Sequence, residues 1–437
     1  MIDYKLPHTE FAMKVLKAYR FKLKPTPEAE ALLYRMARCG RLAYNKSLEI
    51  MLDIVRKELA FEGDRKSLYK ALNDLAPKER IALAKRLPSA AGLNKQLTQW
   101  KKAPELIFLK EAYTDNLQQR QRDLRDKAIK DWCSGKRGFP VFRTKRIAHH
   151  STMRFVNFPK YCALDQRRIK LPNKLGWVRM YQSRVIDGEP RNATVSLDAC
   201  GNWHVAIMCA VDVKPTRVPD QGAVGVDMGI AKNMTLSDGT TFSGVRSFAA
   251  SKDQLAASQR KLKHKERGSA NWKKQKRKIA RIHQRIADIR RDYQHKATTT
   301  ICNNHAMVAV EDLRVANMSK SARGTVTQPG RNVRQKSGLN RSILDQGWYE
   351  IRRQLAYKMA WTGGLFVAVP PHHTSQTCPA CFYKSADNRK TQASFLCTHC
   401  GYAENADVVG AINVLHRGLD LLEASNQSDL IRAGRRP

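Results

Sequence analysis

The chain has 437 residues, with 79 Lys and Arg against 39 Asp and Glu and a net charge of +40. An excess of that size repels itself in a compact state unless a polyanion neutralises it, and nucleic acid is the partner that fits. No run of about 18 apolar residues is present to cross a bilayer, no lipidation signal is found, and Lys5, Glu10, Lys14 and Lys17 interrupt any secretory leader. The expectation is a prokaryotic, cytoplasmic, nucleoid-associated protein with no membrane partner. The length suits two or three domains of about 100–200 residues each.

In chain order, residues 17–24 alternate basic or polar with apolar side chains and then meet Pro25 and Pro27, which predicts a strand ended by a prolyl turn. Thr26 caps a helical pattern in which Leu32, Leu33, Met36, Ala37 and Leu42 recur at helical spacing, and residues 28–133 read as a helical lobe. Between residues 134 and 145 glycine and proline forbid a helix while bases alternate with aromatics, as suits a loop on a phosphate backbone. Lys136, Arg137, Arg143, Lys145 and Arg146 are its candidate contacts. Short β runs follow at 168–171, 177–181, 193–197 and 203–209, separated by Pro172, Gly176, Gly188 and Gly201. A small β-barrel or sheet joined by the N-terminal strand is the economical assignment. Trp132, Phe139, Phe142, Phe155, Phe158 and Tyr161 offer stacking platforms for unpaired bases, with roughly half of them expected in the core.

Residues 224–226 open an α/β region, with a hairpin turn expected at 237–240. Residues 251–300 carry 16 Lys and Arg against 4 Asp and Glu, read as one basic helix whose inward stripe is Ile279, Ile282, Ile286, Ile289 and Tyr293. Lys273, Lys274, Lys276, Arg277 and Lys278 are its candidate nucleic-acid contacts. Residues 319–340 are polar, without an apolar period, and are expected to form a mobile loop near the active cleft. Helical spacing resumes at Ile343, Trp348, Ile351, Leu355 and Met359, and residues 365–369 read as a buried strand ended by Pro370 and Pro371.

Two Cys-x-x-Cys pairs, Cys378 with Cys381 and Cys397 with Cys400, stand 15 residues apart. That is zinc-ribbon spacing, and four thiolates fill a tetrahedron, so the zinc is expected to be structural. His372, His373 and His399 are not needed as ligands. Cys39, Cys133, Cys162, Cys200, Cys209 and Cys302 are scattered and read as small buried hydrophobes.

Asp227 and Glu311 each end a short β-branched run, and Asp407 follows the cysteines in the string Glu404-Asn405-Ala406-Asp407. Three acids from distant segments suit a site holding two Mg²⁺ about 3.5–4 Å apart for phosphodiester hydrolysis. Asp312 is the decoy beside Glu311, because strand alternation turns neighbours to opposite faces.

The order strand-Asp, strand-Glu, paired Cys-x-x-Cys, then Asp-x-x-x-Ala-x-Asn resembles the TnpB proteins of IS200/IS605-type elements, and miniature type V CRISPR nucleases (Cas12f) are similar. Gly138-Phe139-Pro140-Val141-Phe142, the string from Leu171 to Gly176 and the string from His373 to Cys378 extend the likeness over nearly the whole chain. The resemblance implies a multidomain α/β protein. A wedge-like β-barrel (1–27 and 134–222) would be interrupted by a helical recognition lobe (28–133). A RuvC-like ribonuclease-H domain (223–377 and 401–437) would carry an inserted zinc ribbon (378–400). It implies an RNA-guided DNA endonuclease with Asp227, Glu311 and Asp407 as catalytic Mg²⁺ ligands. Its partners would be a guide RNA from the element's own end and double-stranded DNA read beside a short flanking motif. A monomer is expected, with a dimer as the alternative. A silent guided repressor, a strand-transfer transposase and a structural RNA-binding protein are the rival readings. Phe382 stands where the family favours glycine, and Val409 where asparagine is frequent; Phe382 is expected to tighten or distort the first knuckle.

Overall fold

The computed structural model describes residues 13–144, 151–213, 222–325 and 327–433. Lys145 and Arg146 lie outside the described residues. The chain forms two compact units, one of Lys14–Val211 and one of Asp212–Pro437 with Met1–Met13. Among the described residues no helix is long and apolar enough to cross a membrane.

The first unit is built on strand β1 (Met13–Lys24). It begins earlier than the alternation from residue 17 suggested, because the buried odd-numbered series Val15, Tyr19, Phe21 and Leu23 already starts there. Helix α1 (Pro27–Glu58) follows, its first turn capped by Thr26, whose hydroxyl accepts from the Ala29 amide at 3.3 Å. Five shorter helices come next: α2 (Arg65–Asp74), α3 (Pro77–Arg86), α4 (Ala90–Trp100), α5 (Thr114–Arg122) and α6 (Ile129–Cys133). The apolar faces of α2, α3, α4 and α6 close on the second half of α1 around Leu48, Met51, Leu68, Leu72, Leu124 and Trp132, while Leu117 of α5 joins the core beneath the sheet that follows.

Beyond that lobe lie β2 (Thr152–Val156), α7 (Phe158–Tyr161), β3 (Ala163–Asp165), β4 (Arg168–Leu171), β5 (Gly176–Tyr181), β6 (Glu189–Leu197) and β7 (Trp203–Val213). They pair in the order β2-β6-β7-β1-β5-β4-β3, so the first strand of the chain sits in the middle of the sheet. One face of this sheet packs on the first half of α1. Trp132, Phe139, Phe155 and Phe158 are buried, a little more than the half expected in the core, while Phe142 is half-buried and Tyr161 exposed. The core won because each of the four meets apolar neighbours from another element.

The second unit has a five-stranded sheet made of β8 (Ala223–Asp227), β9 (Met234–Leu236), β10 (Thr241–Phe242), β11 (Met307–Glu311) and β12 (Leu365–Val369), in the order β10-β9-β8-β11-β12. The turn expected at 237–240 is present, with Gly239 at φ +86°. Strands β8, β11 and β12 run parallel, and the crossovers are helical. The basic stretch 251–300 is two helices rather than one, α8 (Ser247–Lys263) and α9 (Ala270–Asn304). Gly268 at φ +96° breaks it, and the Ser269 hydroxyl caps the second helix by accepting from the Trp272 amide. Ile282 and Ile286 of the expected stripe are buried, whereas Ile289 is exposed.

After α10 (Val315–Met318) the polar segment is shorter than expected, since α11 (Val333–Gln346) takes its last third. Isolated polarity there concealed a helix whose Ile343 is anchored in the core. Gly347 at φ +71° separates it from α12 (Trp348–Thr362). The hairpin β13 (Ser394–Leu396) and β14 (Ala403–Asn405) leads into α13 (Ala406–Ala433).

Alternation along the parallel strands sorts the two faces of this sheet. Val224, Val226, Val308 and Val310 face α9, α11 and α12, while Met307, Ala309 and Val369 pack on Val414 of α13. Gly225 is on the α13 face, where a Cβ would collide with the Ala411 carbonyl and stand 2.7 Å from the Leu415 amide. Gly225→Ala is therefore expected to destabilise this unit by about 1–3 kcal/mol or more through overpacking, read as a lower melting temperature, with no change expected in the first unit.

Candidate functional site

Parity brings the predicted acids together. Asp227 is two residues beyond Gly225 and Glu311 two beyond Ala309, so both side chains leave their strand ends on the α13 side. Val226 pairs with Val310, which sets the two acids side by side at the carboxyl edge of the parallel pair. Asp407 lies in the first turn of α13, where the helix dipole favours an acid. Its amide donates to Asn405 Oδ1 at 3.0 Å, which caps the helix. The α13 backbone passes close by, since an ideal Cβ on Gly410 would lie 3.5 Å from Asp227 Cγ. Asp312 turns the other way and ion-pairs with Arg352 of α12, as its decoy role required.

The electrostatics are those of crowded acids. Burial, then the charges of Glu311 and Asp407, push the Asp227 carboxyl up to about 7, against the pull of Arg389. Burial also raises Glu311, while the Thr374 hydroxyl draws it back. Arg389 and Arg417 offset part of this negative charge, and the carboxylate oxygens are hard donors of the kind that suits Mg²⁺.

Three side chains at this site escaped sequence reasoning. Arg389 places Nη2 3.7 Å from Asp407 Oδ1 and donates from the same nitrogen to the Gln392 carbonyl at 2.8 Å. Thr374 donates to Glu311 Oε1 at 2.6 Å, and Asn413 holds the turn that carries Thr374. Thr374 and Asn413 stand inside strings already singled out, but spacing alone does not say which side chain faces the acids.

A charge this costly makes a pH prediction. In magnesium-free protein the folded state holds the Asp227 proton up to about pH 7, whereas an unfolded Asp releases it near pH 4. The folded state binds more protons over that interval, so its stability falls as pH rises from about 4 to about 7. Asp227→Asn keeps the shape without the charge. Its melting temperature should lie nearest the parent's below about pH 4 and exceed it increasingly up to pH 8, by roughly 2–4 °C for each kcal/mol relieved. Equal values at pH 8 would contradict the assigned crowding.

The four ribbon cysteines form a second cluster. Their sulfurs all lie within 4.8 Å of one another, with Cys378 to Cys400 and Cys381 to Cys397 both at 3.6 Å. A tetrahedron of 2.3 Å bonds needs sulfurs about 3.8 Å apart, so the quartet fits zinc. Phe382 adopts φ +58° and is 67% exposed, its amide donating to the Cys378 carbonyl. The knuckle thus keeps its turn at the expense of a left-handed bulky residue. Val409 is fully buried against Cys378, Phe395 and Cys397.

The candidate nucleic-acid contacts divide by exposure. Lys136 and Arg137 are exposed, and so are Lys273, Lys274, Lys276, Arg277 and Lys278 on α9. Arg143 is half-buried, with its guanidinium 3.7 Å from the centre of the Tyr44 ring. The loop that carries it is pinned to the helical lobe. Asn45 exchanges two hydrogen bonds with the Arg143 backbone at 3.0 and 2.8 Å, and Asn73 Oδ1 accepts from the Phe139 amide at 2.8 Å.

Three family profiles match the chain. Residues 206–322 match a family described as "Probable transposase" (OrfB_IS605), residues 348–414 the Cas12f1-like TNB domain, and residues 13–58 a "Helix-turn-helix domain". In that last segment the structure has β1 and the single helix α1. InsQ of Escherichia coli (strain K12), named by inference as an RNA-guided DNA endonuclease, is 43% identical over 425 residues, covering 97% of this chain and 96% of the relative. A protein of Streptomyces pristinaespiralis with the same descriptive name is 31% identical over 409 residues, covering 93% of this chain and 90% of the relative. The solved structure of a Cas12f1-sgRNA-target DNA complex is similar at 15% identity, covering 92% of this chain and 99% of that one, with a TM-score of 0.32 that supports no argument. Near full-length kinship with InsQ, together with the OrfB match, shows that this chain belongs to the TnpB family of IS200/IS605-type insertion elements.

Proposed function

We propose that this protein is an RNA-guided DNA endonuclease. The observation that carries the reading is the meeting of Asp227, Glu311 and Asp407 at one strand edge, where burial and then the other two charges push Asp227 up to about 7. The relatives' names support the guided activity. The β10-β9-β8-β11-β12 order, with three parallel strands and α13 across them, supports a RuvC-like ribonuclease-H domain at residues 223–377 and 401–437 with the ribbon as its 378–400 insertion. Residues 1–27 and 134–222 would be the wedge-like β-barrel and 28–133 the recognition lobe.

Asp227, Glu311 and Asp407 would hold the metal. When bound, Mg²⁺ supplies Lewis acidity for phosphodiester hydrolysis. The protein's own part is positional: strand ends fix two carboxylates, the α13 first turn fixes the third, and Thr374 orients Glu311. Arg389 adds a cation beside Asp407, which offsets part of the repulsion among the acids. The exposed bases of α9 and the 136–143 loop would neutralise phosphates, so binding should weaken steeply with salt.

The test is to sequence the RNA that copurifies with the protein and to offer DNA matching its variable end. An RNA with a fixed scaffold, and Mg²⁺-dependent cutting of the matching DNA alone, is expected. Random cellular RNA would instead move the reading to a structural RNA-binding protein. The "Probable transposase" description keeps strand transfer as a second reading, which joined rather than cut DNA products would reveal.

A further inference from the structure

A buried polar relay runs from α13 to Glu311. Asn413 is 4% exposed, and its amide nitrogen donates to the Thr374 carbonyl and to the Thr377 carbonyl, each at 2.7 Å. An Asn amide has two protons, so both are committed to one turn of the chain. That turn presents the Thr374 hydroxyl, itself 5% exposed, to Glu311 Oε1 at 2.6 Å. The Pro371 carbonyl is a competing acceptor at 3.4 Å. One hydroxyl proton serves one strong bond, and the shorter contact to a carboxylate takes it.

We infer that Thr374 and Asn413 are positioning residues for Glu311, an amide and hydroxyl relay that aims the carboxylate and thereby sets the metal affinity and cleavage rate of the site. The inference rests on the reading of Glu311 as a metal-holding acid. Glutamate has three side-chain torsions, and a buried one without a donor is free to change rotamer within its pocket. A donor on Oε1 fixes the plane of the carboxylate. The relay also has a direction: Asn413 clamps the backbone, the backbone places Thr374, and Thr374 aims Glu311. Thr377, the second clamped carbonyl, directly precedes the ribbon ligand Cys378. The ribbon and the acid therefore share one anchor.

Thr374→Val keeps the shape and deletes the hydroxyl, while Thr374→Ser keeps the hydroxyl and deletes a methyl. With the full chain and its copurified RNA, Thr374→Val should lower the cleavage kcat by about 10–100-fold and weaken Mn²⁺ binding, measured by titration in the absence of DNA, over the same range. Its affinity for target DNA and its zinc content should be unchanged. Thr374→Ser should stay within about threefold of the parent in both readouts. Asn413→Asp, which turns two donors into acceptors, should match or exceed the loss in Thr374→Val; if it fails to fold, the Thr374 pair alone decides. Parental Mn²⁺ affinity and kcat in Thr374→Val would overturn the relay, as would a Ser variant as impaired as the Val variant. If instead Asp227→Ala leaves Mn²⁺ affinity and cleavage unaltered, the metal-site reading itself fails, and the two failures are thereby distinguished.

Discussion

Asp227→Ala is expected to abolish DNA cleavage, with a loss of at least about 10³-fold, while guide RNA and target DNA still bind within about threefold of the parent. A rate loss of that size is about 4 kcal/mol of barrier, in keeping with the several kcal/mol of charge stabilisation that a held metal supplies. Binding is spared because phosphate contacts are spread over many Lys and Arg side chains, of which α9 alone presents five exposed ones between residues 273 and 278. Folding is spared as well. Asp227 is a crowded, largely buried acid whose charge opposes folding near neutral pH, so its removal relieves repulsion from Glu311 and Asp407. Rate and affinity measured on the same preparation check the prediction. A parallel fall in both would make Asp227 a structural acid and would withdraw the nuclease reading from this strand edge.

Cys397→Ser is expected to cut bound zinc from about one per chain to a small fraction and to melt the ribbon locally. The apolar cluster that Cys397 joins is small, comprising Cys378, Phe395, Ala406 and Val409 with Cys381 and Tyr402 at its margin. A core of that size does not hold a segment by itself, and structural zinc contributes about 10–16 kcal/mol in small zinc domains. Metal analysis and limited proteolysis between residues 378 and 405 are the measurements. Zinc retained at the parental level, or a ribbon still resistant to protease without it, would contradict the assignment. The anchor shared through Thr377 adds a consequence: the same substitution should weaken Mn²⁺ binding at the acids, since the turn that carries Thr374 begins to loosen.

Much of the candidate site was legible from residue order. The two β-branched runs identified Asp227 and Glu311 as strand-end acids, and alternation alone dismissed Asp312, which pairs with Arg352 on the other face. Cysteine spacing identified the ribbon, and the structure brings the four sulfurs within 4.8 Å. The misreadings have separate causes. Of the six aromatics weighed as stacking platforms, about half were expected in the core, but which four are buried (Trp132, Phe139, Phe155 and Phe158) depends on partners far along the chain. Polarity at 333–340 suggested a loop, although Ile343 at the far end supplied a core anchor for α11. The single basic helix became two, because one glycine and one serine cap outweighed a long charge pattern.

What residue order determined here is the chemistry available: three strand- or helix-end acids, four thiolates at ribbon spacing, and a charge that demands a polyanion. Those properties are local, set by periodicities of two or a few residues and by short ligand spacings. Only tertiary structure decided which groups meet. Thr374 reaches Glu311 across 63 positions, Asn413 reaches Thr374 across 39, and Arg389 of the ribbon reaches Asp407. Helix α13 likewise lies on Gly225, a close approach that only the absence of a side chain permits, and close packing between distant segments carries no periodicity that could be read beforehand.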